Sequence, residues 1–242
     1  MQANACWRGA WSDGSRILEE LVAQSIGVIG GTGPAGSSIA VRYAYLGHRV
    51  VLGSREATRA QGVVADLRER LGGAHANLEG AENAAAALCD IVVVATPWDG
   101  VEATVRPLSA ALAGKVVISM ANALYRDGRN MGALMLPRGS VAEHLRSAVP
   151  DARVVAAFHH VPAKELGMVG EPLHSDVLVC SDDAAAAEVV TALVEEIPGA
   201  RGVLAGNLSA AAAIEAMTAV LINVNIRYKT RTSLQLSGIR ES

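Results

Sequence analysis

The stretch 25–55 reads SIGVIGGTGPAGSSIAVRYAYLGHRVVLGSR, and the order of residue types in it decides the fold. Residues 25–29 form a short apolar run, as expected of a strand buried on both faces of a parallel sheet. Gly31-Thr32-Gly33-Pro34-Ala35-Gly36 follows at once and has the form G-x-G-x-x-G. In such a turn Gly31 permits the tight bend, Gly33 lets backbone approach a pyrophosphate, and Gly36 lets a helix pack closely on the strand. Residues 37–46 have helical spacing and 49–52 are a second apolar run. Strand, glycines, helix and strand in that order predict a dinucleotide-binding turn, with the helix N-terminus offering N–H groups and partial positive charge to phosphate.

The second run ends at Gly53-Ser54-Arg55, where a site for NAD would place Asp or Glu against the ribose 2'-hydroxyl. Here the position is cationic. The Ser54 hydroxyl, the Arg55 guanidinium and Arg59 one helical turn later form a clamp suited to a 2'-phosphate, so NADP(H) is expected rather than NAD.

Outward from this unit the pattern repeats. Further apolar runs lie at 91–95, 116–119, 154–158 and 177–180, with 201–205 as one more strand. Helical spacing fills 57–71, 82–88, 101–112, 141–148 and 184–196. The alternation predicts an α/β fold of Rossmann type: a doubly wound, mostly parallel sheet with a smaller C-terminal α+β extension ending in a long apolar helix. That helix, 208–228, is interrupted only by Glu215 before Arg227, and must pack on the sheet, the cofactor or a second subunit. We divide the chain into an N-terminal appendage, 1–24, with a short helical turn over 16–23; a Rossmann domain, 25–150; and a C-terminal extension, 151–242.

In an open α/β sheet the ligand lies beyond the carboxyl ends of the strands, so the turns after each run are the places to look. Thr96-Pro97-Trp98, Met120-Ala121-Asn122 and His159-His160-Val161-Pro162-Ala163 occupy those turns and would form the floor and wall beside a nicotinamide. If the strand continued through His159 and His160 they would point to opposite faces, poorly placed to share a metal, and no metal site is expected. No G-x-S-x-G is present, so hydrolysis lacks its nucleophile turn. Hydride transfer needs none, because the cofactor carries the chemistry and the protein sets distance and orientation.

Composition narrows the rest. Of 242 residues, 51% are hydrophobic and 19% charged, which suits a sizeable folded core and not a disordered chain. Lys+Arg 21 against Asp+Glu 24 leaves no electrostatic reason to bind nucleic acid or an anionic membrane. The uncharged stretch 21–41 is long enough to span a bilayer, but its glycines and Pro34 read as strand and turn, and no membrane span is expected. Residues 1–24 lack the basic and apolar regions of an export signal. Cys6, Cys89 and Cys180 are odd in number and far apart, which fits a reducing cytoplasm better than a disulfide framework.

The chain resembles the NADPH-dependent coenzyme F420 reductases, the F420:NADP oxidoreductases, of actinobacterial type. The resemblance runs from about residue 25 to 238 and rests on Ile29-Gly30-Gly31-Thr32-Gly33-Pro34, Val51-Leu52-Gly53-Ser54-Arg55, Thr96-Pro97-Trp98, the segment 117–122, the segment 156–163 and the segment 176–180. It implies a homodimeric oxidoreductase that moves a hydride between C4 of NADPH and C5 of the deazaflavin, coenzyme F420 being co-substrate, without a protein acid or base. By that resemblance Gly31, Thr32, Gly33, Gly36, Ser54, Arg55, Arg59, Thr96 and Pro97 hold NADP, with Ala163 orienting the carboxamide through its backbone. Trp98, Asn122, His159, Val161 and Ser209 line the deazaflavin side. One departure stands out: where the family reads Ala-Gly-x-Leu-x-Asn, this chain has Ala205-Gly206-Asn207-Leu208-Ser209-Ala210, so a polar contact to the deazaflavin is expected to be missing at Ala210. Two other readings fit the same scaffold: an NADPH reductase of another small acceptor, such as an imine, and an NADP-binding redox sensor without turnover.

Overall fold

The computed structural model describes residues 24–72 and 77–239. Of the expected appendage only Gln24 is among them, and the helical turn over 16–23 lies outside the described residues. In chain order the elements are β1 (Ser25–Ile29), α1 (Pro34–Tyr45), β2 (Arg49–Ser54), α2 (Ala57–Arg70), β3 (Leu78–Glu82), α3 (Asn83–Ala86) and β4 (Ile91–Val94). Then come α4 (Val101–Val105), α5 (Ser109–Leu112), β5 (Val116–Ser119), β6 (Leu124–Asp127), β7 (Asn130–Ala133), α6 (Val141–Ala148) and β8 (Arg153–Ala156). The chain closes with α7 (Ala163–Leu166), β9 (Ser175–Ser181), α8 (Ala184–Glu195), β10 (Ala200–Gly206) and α9 (Ala211–Tyr228).

Eight strands form one sheet in the order β10-β9-β8-β5-β4-β1-β2-β3. The six from β3 to β8 are mutually parallel, and β9 meets β8 antiparallel before pairing in parallel with β10. Side chains of a strand alternate between faces, and here both faces are covered. Ile26 and Val28 pack with α1, α2 and α8, whereas Ile29, Val92 and Val94 pack with α3, α4 and α6. Double burial is why these strands read as unbroken apolar runs. The boundary expected at residue 150 falls between α6 and β8 inside this continuous sheet.

Three expectations need correction. The helix over 101–112 is broken into α4, a 3-10 turn at Arg106–Leu108 and α5, because Pro107 lacks the N–H and crowds the preceding turn. The strand expected over 154–158 stops at Ala156, and Phe158 adopts a left-handed φ of 64°. His159 and His160 therefore lie in a turn and not on opposite faces of a strand. The edge strand β3 and the β6–β7 hairpin, half exposed and without an apolar run, were also not foreseen, nor was the one-turn helix α7.

Candidate functional site

The strand order reverses between β1 and β4, and the carboxyl ends of β1, β2, β4 and β5 open there into a cleft of about 610 Å³. At one end the cleft is lined by Thr32, Gly33, Ser54, Arg55, Arg59 and Asn83, and at the other by Met120, Asn122 and Leu124. A second cavity of about 220 Å³ continues from it, sharing Ala35, Met120, Asn122 and Leu124. Its own walls are Phe158 to Ala163 and one face of α9: Thr218, Leu221, Ile222 and Asn225.

The turn after β1 is built from its glycines. Gly30, not Gly31, takes the left-handed conformation, with φ 71°, and its N–H donates to Asn83 Oδ1 at 3.0 Å. Gly31 and Gly36 face one another so closely that a Cβ on Gly36 would stand 2.7 Å from the Gly31 Cα, which seats α1 against the turn. A Cβ on Gly33 would meet nothing within 4 Å; that open space is the cleft itself. Pro34 occupies the first turn of α1 and no side chain caps it, leaving first-turn N–H groups for a ligand's phosphate.

At the end of β2 the Ser54 side chain is buried, and Arg55 and Arg59 are exposed on the cleft. Neither arginine forms an ion pair among the described residues, and no carboxylate occupies the first turn of α2. Cations at the positive end of a helix are unfavourable by a few tenths of a kcal/mol, roughly, unless an anion joins them. The pair is thus without a carboxylate partner among the described residues and could take an external anion such as a phosphate.

On the far side, buried polar atoms without partners gather at the strand ends: Thr96 Oγ1, Asn122 Oδ1 and both ring nitrogens of His159. The backbone at Met120 and Ala121 lies beside the His159 ring but outside hydrogen-bond geometry. Leaving such atoms unpaired costs about 1–3 kcal/mol each, and their concentration sets these strand ends apart from the apolar walls around them. The left-handed Phe158 turns the His159 carbonyl toward Asn122 Nδ2, which donates at 2.9 Å, and Thr218 Oγ1, which donates at 3.3 Å. Burial, with His160 beside it, pushes the His159 imidazole down to about 3, so it stays neutral near neutral pH and is no proton donor. His160 Nε2 is tied to the Asp176 carbonyl at 2.8 Å. Among the described residues no three His, Cys, Asp or Glu side chains converge on a metal position.

Thus Thr32, Gly33, Ser54, Arg55, Arg59, Thr96, Pro97, Trp98 and Asn122 line the larger cavity, and Asn122, His159, Val161 and Ala163 the smaller. Gly31 and Gly36 are buried beneath the turn. Ser209 is not brought to the cleft. It is exposed, hydrogen-bonded to Asn207 Oδ1 at 2.8 Å, and lines neither cavity. The cause is strand direction: β10 runs against the Rossmann strands, so the chain that leaves it after Gly206 heads away from their carboxyl ends. Ala210 ends the 3-10 turn Leu208–Ala210 in helical conformation, directly ahead of α9, and lines neither cavity. The helix then returns to the cleft, and Thr218 onward lines it.

Two residues escaped the sequence reading. Asn83 follows the unforeseen strand β3, and only an Asn at a helix start hinted at a role. Arg42 is fully buried on α1, and its guanidinium donates to the carbonyls of Glu165, Leu166, Met168, Val169 and Glu171. It fixes the segment 165–171, which follows directly on Ala163, a wall residue of the smaller cavity.

The sequence pattern described as "NADP oxidoreductase coenzyme F420-dependent" matches residues 25–123. The chain is 33% identical over 220 residues to the F420-dependent NADP reductase of Methanocaldococcus jannaschii, covering 88% of this chain and 98% of that one. It is 35% identical over 226 residues to the enzyme of the same name from Methanothermobacter thermautotrophicus, covering 91% and 96%. A solved structure from Arthrobacter sp. FB24, provisionally assigned the same activity, superposes with a TM-score of 0.77 at 24% identity over 89% of this chain and 100% of that one, and so shares the fold.

Proposed function

The chain belongs to the F420-dependent NADP reductase family, and we infer from that membership and from the two joined cavities that it transfers a hydride between NADPH and coenzyme F420. It is an NADP oxidoreductase. The observation that carries the reading is the shared wall: Ala35, Met120, Asn122 and Leu124 border both the cavity that holds the glycine turn, Arg55 and Arg59 and the smaller one beyond it. When both are bound, NADPH supplies the hydride and the deazaflavin accepts it.

The chain's own part is positioning. We assign the pyrophosphate to the first turn of α1 with Thr32 and Gly33, the 2'-phosphate to Ser54, Arg55 and Arg59, and the nicotinamide end to Thr96, Pro97 and the Ala163 backbone. We assign the deazaflavin to the side formed by Trp98, Asn122, His159 and Val161. With His159 neutral, Asn122 Nδ2 and Thr218 Oγ1 directed at its carbonyl, and His160 the only other titratable residue lining the smaller cavity, orientation and exclusion of water do the work.

We further propose a cytoplasmic homodimer. Val220, Ile226 and Tyr228 on α9 are exposed apolar side chains that a second copy would cover, and the described cysteines, Cys89 and Cys180, are free and buried. Sedimentation at micromolar concentration tests the first point, a dimer being expected.

Anaerobic mixing of the protein with NADPH and oxidised F420, followed by the deazaflavin's visible absorbance, tests the activity. Bleaching with NADPH and little with NADH is expected. Oxidation of NADPH by an imine but not by F420 would favour a different acceptor. Binding of NADPH without turnover of any acceptor would favour a sensor.

A further inference from the structure

We propose that Arg126, on the outer part of strand β6, binds the anionic tail of the deazaflavin co-substrate. The inference rests on the F420 reading above. F420 carries, beyond its ring and sugar-alcohol chain, a phosphodiester and glutamate carboxylates. The smaller cavity offers that charge nothing: none of its lining residues is Lys or Arg, and its walls at Phe158, Val161, Leu221 and Ile222 are apolar. A ring held there leaves its charged tail at the rim.

The β6–β7 hairpin forms that rim. Leu124, the first residue of β6, lines both cavities. Side chains alternate along a strand, so Arg126 shares the face of Leu124 and stands about 6–7 Å further out. Tyr125 is on the other face, packed over its cross-strand partner Gly132, where an added Cβ would meet the tyrosine ring at 2.4 Å. Asp127 follows Tyr125 to that other face.

The hairpin's position is fixed. Met131, the cross-strand partner of Arg126, donates its N–H to Asn223 Oδ1 at 2.7 Å and accepts from Asn223 Nδ2 at 2.9 Å. Asn223 belongs to α9, the helix that lines the smaller cavity, so the hairpin that carries Arg126 is tied to that helix. Arg126 is exposed and forms no ion pair among the described residues. The cations that line the larger cleft, Arg55 and Arg59, are assigned to NADP.

The test compares F420 with the same deazaflavin lacking phosphate and carboxylates, in wild type, Arg126→Ala and Arg126→Glu. In wild type KM for F420 is the lower of the two. In Arg126→Ala the KM ratio of tail-less to complete substrate falls about three- to tenfold, further in Arg126→Glu, and the difference shrinks in about 0.5 M salt. An unchanged NADPH affinity reports that each variant is folded. Equal ratios in wild type and both variants would overturn the proposal. If wild type turns over neither deazaflavin, the acceptor reading falls, and the ratio of dissociation constants from deazaflavin fluorescence decides on Arg126 by the same criterion.

Discussion

Removing Arg55 and Arg59 should convert an NADPH enzyme into one nearly indifferent to the 2'-phosphate. Both guanidiniums line the dinucleotide end of the cleft, are exposed, and have no carboxylate partner among the described residues. In a charge-assisted hydrogen bond to phosphate each contributes on the order of 1–2 kcal/mol, at the lower end of such bonds because water screens an exposed site. At about 1.4 kcal/mol per tenfold, Arg55→Ala raises KM for NADPH by about 5- to 30-fold. Arg55→Ala with Arg59→Ala raises it by about a hundredfold, somewhat short of the product because both act on one group. KM for NADH, which has no 2'-phosphate, moves less than about twofold, since neither substitution creates a buried unpaired group. Steady-state KM and kcat for both nucleotides, with F420 saturating, give the ratio. Because the 2'-phosphate is held equally in the ground and transition states, kcat for NADPH stays unchanged. An NADPH-to-NADH preference that survives the double substitution would refute the assignment and return the two arginines to surface solvation.

Other perturbations test other joints. Arg42→Ala orphans five carbonyls around the wall segment and should destabilise the protein by about 3–5 kcal/mol in urea, with faster hydrogen exchange over 163–171; a loss under about 1 kcal/mol would contradict the clamp. Glu215 is buried on α9 and accepts from the N–H groups of Val141, at 2.9 Å, and Ala142, at 3.3 Å, and burial pushes its carboxyl up to about 7. Its stabilising effect is therefore complete below the ordinary carboxyl range and is lost as pH rises through about 7. Glu215→Gln, which keeps an acceptor, should match wild type near pH 5 and exceed it near pH 9 by on the order of 3 kcal/mol, roughly 5–10 °C in Tm; coincident Tm profiles would exclude the titration. Asn83→Ala removes the acceptor for the Gly30 N–H and should raise KM for NADPH and NADH alike, about fivefold, without altering their ratio; a change in that ratio would place Asn83 at the 2'-phosphate instead.

The parts legible in the sequence were those with a one-dimensional signature. Doubly buried strands such as Ile91–Val94 and Val116–Ser119 are continuous apolar runs because both sheet faces are covered, and the glycine turn is fixed by steric demands that only glycine meets. The arginines after β2 announced themselves by occupying the place of an acid. Elements that face water on one side carried no comparable signal, which is why β3 and the β6–β7 hairpin went unread, and with them Asn83 and the rim at Arg126. Arg42 was hidden differently: its helix was legible, but its partners lie more than 120 residues away, and nothing local marks that cation as buried. Ser209 shows the limit of reasoning from strand ends. The rule that ligands gather at carboxyl ends holds for the parallel strands, and β10 runs the other way.

Direct hydride transfer between the two cavities can be read from an isotope. The protein is incubated anaerobically with oxidised F420 and NADPH deuterated at both C4 positions, and the reduced deazaflavin is weighed by mass spectrometry. One deuterium retained at C5 per molecule reduced is the expected result. Reduced F420 carrying no deuterium would contradict transfer across the shared wall of Ala35, Met120, Asn122 and Leu124.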